Sequence, residues 1–118
     1  MDKIAVVILT WNGCEMLRSF LPSVVRCSGT EGAKIYVADN GSTDASVDML
    51  RKEFPDVHLI ILKENLGFAE GYNLALQQVS AEYVVLLNSD VEVTEHWLAP
   101  LVSYMDAHPE AAACQHKI

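Results

Sequence analysis

Asp39 and Asp90 each stand just past an apolar, strand-like run, Ala33–Ala38 in the first case and Tyr83–Leu87 in the second. A carboxylate at a strand end can accept hydrogen bonds from N–H and O–H donors of a ligand. Alternatively it can hold a hard divalent cation, which prefers carboxylate oxygen and often takes only one or two protein carboxylates, the rest of its shell coming from phosphate and water. The same kind of chemistry recurs beside both. Thr10, Trp11 and Asn12 close the run Ile4–Leu9, and Asn88 and Ser89 precede Asp90. Asp39 and Asp90 also suit simple turn formation, and Thr10 and Asn12 suit either ligand contact or a tie across their own turn.

The elements that must position these residues follow from the apolar pattern. Ile4–Leu9 is continuous, mostly β-branched and apolar, as in a strand buried on both faces. From Cys14 to Arg26, apolar residues recur at Met16, Leu17, Phe20, Leu21, Val24 and Val25, which is helical spacing, with Pro22 expected to kink or divide the helix. Ala33–Ala38 is a second strand. Ser42 or Thr43 is placed to cap the next helix, with Asp44 in its first turn and Val47, Met49 and Leu50 on its apolar face. Val57–Leu62 is a third strand and Asn65–Gly67 a turn. A helix carries Phe68, Tyr72, Leu74, Leu76 and Val79. Tyr83–Leu87 is a fourth strand, and an amphipathic helix is expected from Thr94 to about Ala107, ended by Pro109. Ala111–Ile118 reads as the start of a further element.

Strands separated by helical segments imply parallel pairing through right-handed crossovers. The expectation is an α/β fold, a three-layer, Rossmann-like, mainly parallel sheet with helices on both faces. Parallel strands place all their C-terminal ends on one edge, where ligands of open α/β sheets bind. Residues distant in sequence therefore converge there.

Composition narrows the function. The 118 residues, 51% hydrophobic and 20% charged, fit one domain with its own core. Eight basic against sixteen acidic residues give a net charge of −8, which disfavours nucleic acid and anionic lipid as partners. An anionic ligand then calls for a metal ion as a bridge. Cys14, Cys27 and Cys114 form no Cys-x-x-Cys pair and read as reduced, buried thiols of a cytoplasmic protein. His58, His96, His108 and His116 show no metal-ligand spacing. No apolar stretch approaches the roughly 20 residues of a membrane span, and no secretory leader is recognisable. Trp11 and Asn12 occupy the first turn where a dinucleotide fingerprint would need glycines, and no Walker segment occurs. A receiver domain would need an acidic pair in place of Thr10–Asn12.

Four segments carry a resemblance. Val6–Asn12 is similar to the opening strand and turn of the inverting family 2 glycosyltransferases, which have the GT-A fold. Val37–Asp44 resembles that family's second strand and turn, Asn65–Asn73 its Asn-x-Gly segment, and Leu86–Asp90 its Asp-x-Asp region, with Asn88 in place of the commoner Asp. The Asn65–Phe68 and Asn88–Asp90 segments look most like the rhamnosyltransferase-like branch. The resemblance implies a nucleotide-diphosphate sugar donor held by Thr10, Trp11, Asn12, Asp39, Asn65, Gly67, Asn73, Asn88 and Ser89. It assigns Trp11 to the base, Asp39 to the base or ribose, and Asp90 to Mg²⁺ or Mn²⁺. Lys63, after the third strand, is placed beside the same crevice.

Residues 1–118 are expected to be the nucleotide-sugar-binding part. The resemblance puts the catalytic base, an Asp or Glu on the acceptor side, in a later segment beyond Ile118, so none of the present residues is expected to be catalytic. The complete enzyme is expected to use a saccharide or lipid-linked acceptor at the inner face of a membrane, with self-association of this part through its unpacked face. Two other readings stand beside it, a non-enzymatic or degenerate nucleotide-binding module and a sugar nucleotidyltransferase. The second would need a Gly-rich basic loop after the first strand, which this sequence lacks.

Overall fold

The computed structural model describes residues 2–108. The expectations placed on Pro109, Cys114 and His116, on a further element over Ala111–Ile118, and on a catalytic base beyond Ile118 all lie outside the described residues. The element order is β1 (Asp2–Thr10), α1 (Cys14–Gly29), β2 (Lys34–Asn40), α2 (Ser46–Glu53), β3 (His58–Leu62), α3 (Phe68–Leu76), β4 (Ala81–Leu87) and α4 (Ala99–Ala107). All pairings are parallel, and the order across the sheet is β3-β2-β1-β4. The chain builds outward from β1 to β3 and then crosses back to lay β4 on the other flank of β1. The topological switch, the usual ligand crevice of such sheets, is therefore the gap between β1 and β4.

Strand alternation assigns the two faces. Ile4, Val6 and Ile8 of β1 and Ile35 and Val37 of β2 pack with Leu17, Leu21, Val24 and Cys27 of α1 and Met49 and Leu50 of α2. On the other face, Val7, Ala38, Ile60 and Leu62 meet Tyr72 and Ala75 of α3. Each fully buried leucine in such a layer contributes about 1.5–3 kcal/mol.

Several expectations are corrected. Helices do lie on both faces, but α3 leaves β4 bare: Val84 and Leu86 are 41% and 51% exposed, so this strand is covered on one face only. Pro22 neither divides nor ends α1, which runs through it. The last helix starts at Ala99 instead of Thr94. His96 has φ +61°, which a right-handed helix cannot accommodate, and Val93, Trp97 and Leu98 are buried against α1 by an irregular strap. Pro100 then falls in the first turn of α4, where proline is preorganised.

Candidate functional site

The loops after β1 and β2 are tied together by side chains acting on backbone. The Asn12 amide oxygen accepts from the backbone N–H groups of Thr43 (2.7 Å) and Asp44 (3.2 Å), and the Asn12 backbone N–H donates to the Ser42 hydroxyl at 2.8 Å. Asn12 takes φ +49° to do so, a conformation asparagine tolerates better than most residues. The Asp44 carboxylate accepts from the Ser46 N–H and hydroxyl with one oxygen and from the Cys14 N–H with the other. It therefore serves the first turns of two helices at once, satisfying donors that a helix start leaves open. The Ser46 hydroxyl holds the Asp44 carboxyl below its ordinary range, opposed by desolvation and helped by the Ser46 and Cys14 backbone N–H groups. The cap expected from Ser42 or Thr43 does not form: α2 begins after Ala45 with no side-chain cap, Ser42 serves Asn12, and Asp44 precedes the helix.

The loop after β3 is held by Asn40. Its amide oxygen accepts from the Leu66 N–H at 3.1 Å, and its amide nitrogen donates to the Gly67 carbonyl at 3.1 Å and to the Asn65 side-chain oxygen at 3.3 Å. The same Asn65 oxygen accepts from the Gly67 N–H at 2.8 Å. Two glycines are required here. Gly67 has φ +83° at the start of α3, and at Gly41 (φ +78°) a Cβ would fall 2.6 Å from the Asn65 nitrogen. Leu9, Thr10, Trp11, Asn40, Asn65, Gly67 and Phe68 enclose an open cleft of about 310 Å³. Trp11 and Phe68 are 53% and 66% exposed on its walls, flat rings available for stacking. Beneath it, the Tyr72 hydroxyl accepts from the Leu9 N–H and donates to the Leu87 carbonyl, joining the ends of β1 and β4. Burial, opposed by the Leu9 hydrogen bond, raises the Tyr72 pKa, so this hydroxyl keeps its proton.

Thr10 and Asp39 are cross-strand partners at the C-terminal edge, pointing to the α1–α2 side of the sheet. Both are buried, at 3% and 1% exposure. The Asp39 Oδ2 accepts from the Ser42 N–H at 3.0 Å, but Asp39 Oδ1 and Thr10 Oγ1 have no partner among the described residues. A buried polar atom left unmatched costs about 1–3 kcal/mol, more when charged. Two such oxygens on paired residues, at the edge where α/β sheets bind ligands, leave an unspent carboxylate oxygen and an unspent hydroxyl there. A Cβ on Gly13 would sit 2.5 Å from Thr10 Oγ1, so glycine there keeps room around that hydroxyl.

Past β4, Asn88, Ser89 and Asp90 enter a turn in which Asn88 and Asp90 are exposed. The strap that follows is fastened to α1 and its exit loop. Val93 N–H donates to the Ser23 hydroxyl, Trp97 Nε1 to Ser28, and the Leu98 and Ala99 N–H groups to the Glu31 carboxylate at 3.0 Å each. This places Asp90 on a short turn between two anchored segments. No group of three His, Cys, Asp or Glu side chains gathers as a metal site among the described residues. One exposed carboxylate with an amide beside it fits a cation completed by ligand phosphates, as Mg²⁺ and Mn²⁺ commonly are.

Of the residues singled out from sequence, the structure brings Thr10, Trp11, Asn65 and Gly67 into one cleft and sets Asp39 beside Thr10. Asn12 is spent on the loop tie. Asn73, Asn88, Ser89 and Asp90 lie off the cleft wall, and Asn73 is exposed along α3. Lys63 is exposed and also off the wall. Sequence reading assigned no place in the site to Asn40 or Phe68. An asparagine directly after a strand-end aspartate, and an aromatic directly after a positive-φ glycine, were the available signals.

A four-stranded parallel sheet with crossover helices, superposing on solved glycosyltransferases, defines the class, an α/β fold of the GT-A type. The model of glycosyl transferase family 2 matches residues 5–118, and the chain belongs to that family. It is 30% identical over 114 residues to the uncharacterized glycosyltransferase YfnE of Bacillus subtilis, covering 95% of this chain and 29% of that protein. It is 25% identical to N-acetylglucosaminyl-diphospho-decaprenol L-rhamnosyltransferase of Mycobacterium tuberculosis, covering 95% of this chain and 40% of that one. Among solved structures, the Pyrobaculum calidifontis mannosyltransferase PcManGT in complex with GDP-Man and Mn²⁺ superposes with a TM-score of 0.75 at 24% identity, over 87% of this chain and 32% of that one. The chain thus spans well under half the length of these proteins. No helix among the described residues is long and apolar enough to cross a membrane.

Proposed function

We propose that residues 1–118 form the donor-binding part of an inverting glycosyltransferase that transfers a sugar from a nucleoside diphosphate to a polysaccharide or lipid-linked acceptor at the cytoplasmic face of a membrane. The observation that carries this reading is the buried, unmatched pair Thr10 Oγ1 and Asp39 Oδ1. An imide N–H and a ribose hydroxyl are the complementary donors, and the Trp11 ring, which lines the cleft with Thr10, offers a stacking face. Asn65, Gly67, Asn73, Asn88 and Ser89 are assigned to the sugar and diphosphate side of the site. Asp90 would hold Mg²⁺ or Mn²⁺, which when bound supplies Lewis-acid stabilisation of the departing diphosphate. The base that takes the acceptor hydroxyl proton is supplied from outside these elements. The relatives support the class of reaction: one is named as a rhamnosyltransferase acting on a decaprenol-linked sugar, and a structural neighbour is described with GDP-Man and Mn²⁺.

Calorimetric titration with UDP, dTDP and GDP, each with and without Mn²⁺, tests the proposal. One nucleotide should bind, more tightly with Mn²⁺, and Asp90→Ala should abolish the metal-dependent gain while sparing metal-free binding. Binding of none of the three would favour an inert module.

A further inference from the structure

We infer that Asn40 is a positioning residue that latches the Asn65–Phe68 loop in its ligand-ready form, so that one wall of the cleft is set before any nucleotide arrives. The inference rests on the donor-binding reading above and adds a residue and a device to it. Asn40 is 3% exposed at the end of β2, and both ends of its amide are committed to one loop. The oxygen takes the Leu66 N–H and the nitrogen serves the Gly67 carbonyl and the Asn65 oxygen, so the amide reads a donor and two acceptors at once. Only a side chain carrying both functions satisfies that pattern. An aspartate would keep the Leu66 contact but would set a carboxylate oxygen against the Gly67 carbonyl and the Asn65 oxygen, leaving buried acceptors facing each other.

The surroundings allow the amide no second place. A Cβ on Gly71 would fall 3.0 Å from Asn40 Nδ2 and 3.1 Å from Leu9 Cδ2, so α3 closes on it from the far side. A Cβ on Gly41 would strike the backbone of Glu64 and Asn65, so the β2–α2 and β3–α3 loops touch without intervening side chains. Three of the residues lining the cleft, Asn65, Gly67 and Phe68, belong to the loop that Asn40 holds. A loop released from the latch samples other positions, and apparent affinity falls by the fraction of time the competent wall persists.

The test compares the native protein with Asn40→Asp and Asn40→Ala, titrated with UDP, GDP and dTDP in the presence of Mn²⁺. If the native protein binds none of them, the donor-binding reading fails and this inference falls with it. If it binds one, both variants should bind that nucleotide about tenfold more weakly, as expected when the competent wall is populated about one-tenth of the time. The gain from adding Mn²⁺ should be unchanged, because Asp90 is untouched. A folded variant with native affinity overturns the latch while leaving the donor site intact. Should neither variant fold, amide exchange in the native protein decides. The Leu66 N–H should be protected without ligand, and exchange as rapid as in an open loop contradicts a preformed wall.

Discussion

The two flanks of β1 are built in different ways. On the β2 side, three successive strand-end loops are knotted together. Asn12 reaches across to Thr43 and Asp44, Asp44 reaches back to Cys14, and Asn40 reaches on to Leu66 and Gly67. On the β4 side, Asn88 and Asp90 are exposed, and no hydrogen bond or ion pair engages their side chains among the described residues. The first flank is cross-linked by hydrogen bonds around two buried, unmatched oxygens. The second offers a carboxylate on a turn whose anchorage begins only at Val93. A site arranged so would recognise the nucleoside by preorganisation, and would complete its metal-binding end with oxygens that the ligand itself brings.

The sharpest way to break this contrast is Asp39→Asn. The substitution keeps an acceptor for the Ser42 N–H but removes the charge from a buried site with one oxygen unmatched. Nucleotide affinity should fall by about ten- to a hundredfold, the equivalent of about 1.5–3 kcal/mol for a charge-assisted hydrogen bond. The variant should melt no lower than the native protein, because the cost of burying the carboxylate is relieved. Lower stability together with full nucleotide affinity would mean that Asp39 serves the turn alone.

A smaller effect is expected at Asp44, which belongs to the knotted flank without lining the cleft. Asp44→Ala removes the acceptor shared by two helix starts, at about 0.5–1 kcal/mol near neutral pH, toward the low end because the carboxylate is solvent-exposed. Its folded pKa lies below its unfolded one, chiefly through the Ser46 hydroxyl, so its contribution is full above the unfolded value near 3.8. That contribution is lost as pH falls through the folded value. Denaturant melts of native and variant proteins should therefore differ at pH 7 and converge below about pH 4. A difference that persists at the lowest pH would assign the effect to something other than the charge.

Much of this architecture was legible in the sequence. The runs Ile4–Leu9, Val57–Leu62 and Tyr83–Leu87, separated by helical periodicity, implied a parallel sheet, and parallel strands forced Thr10, Asp39 and Asn88 to one edge. What stayed hidden depends on contacts distant along the chain. Val93 and Trp97 repeat at helical spacing, yet the strap is irregular because Ser23 and Glu31 supply its backbone partners and Ser28 holds the Trp97 indole. Asn12 and Asn40 look like turn asparagines locally, and only the fold shows each holding a loop 31 or 26 residues away. The exposed face of β4 was equally invisible, since Val84 and Leu86 are as apolar as any core strand.

The central claim is that Asp39 and Asp90 serve one crevice from opposite flanks of β1. Paramagnetic broadening of amide signals by Mn²⁺, recorded with a saturating nucleoside diphosphate, tests it most directly. Broadening should be strongest at Asn88–Asp90 and should extend across β1 to Thr10, Trp11 and Asp39, and Asp90→Ala should remove it. Broadening centred on the opposite edge, around Lys3 and Glu82, would contradict the account.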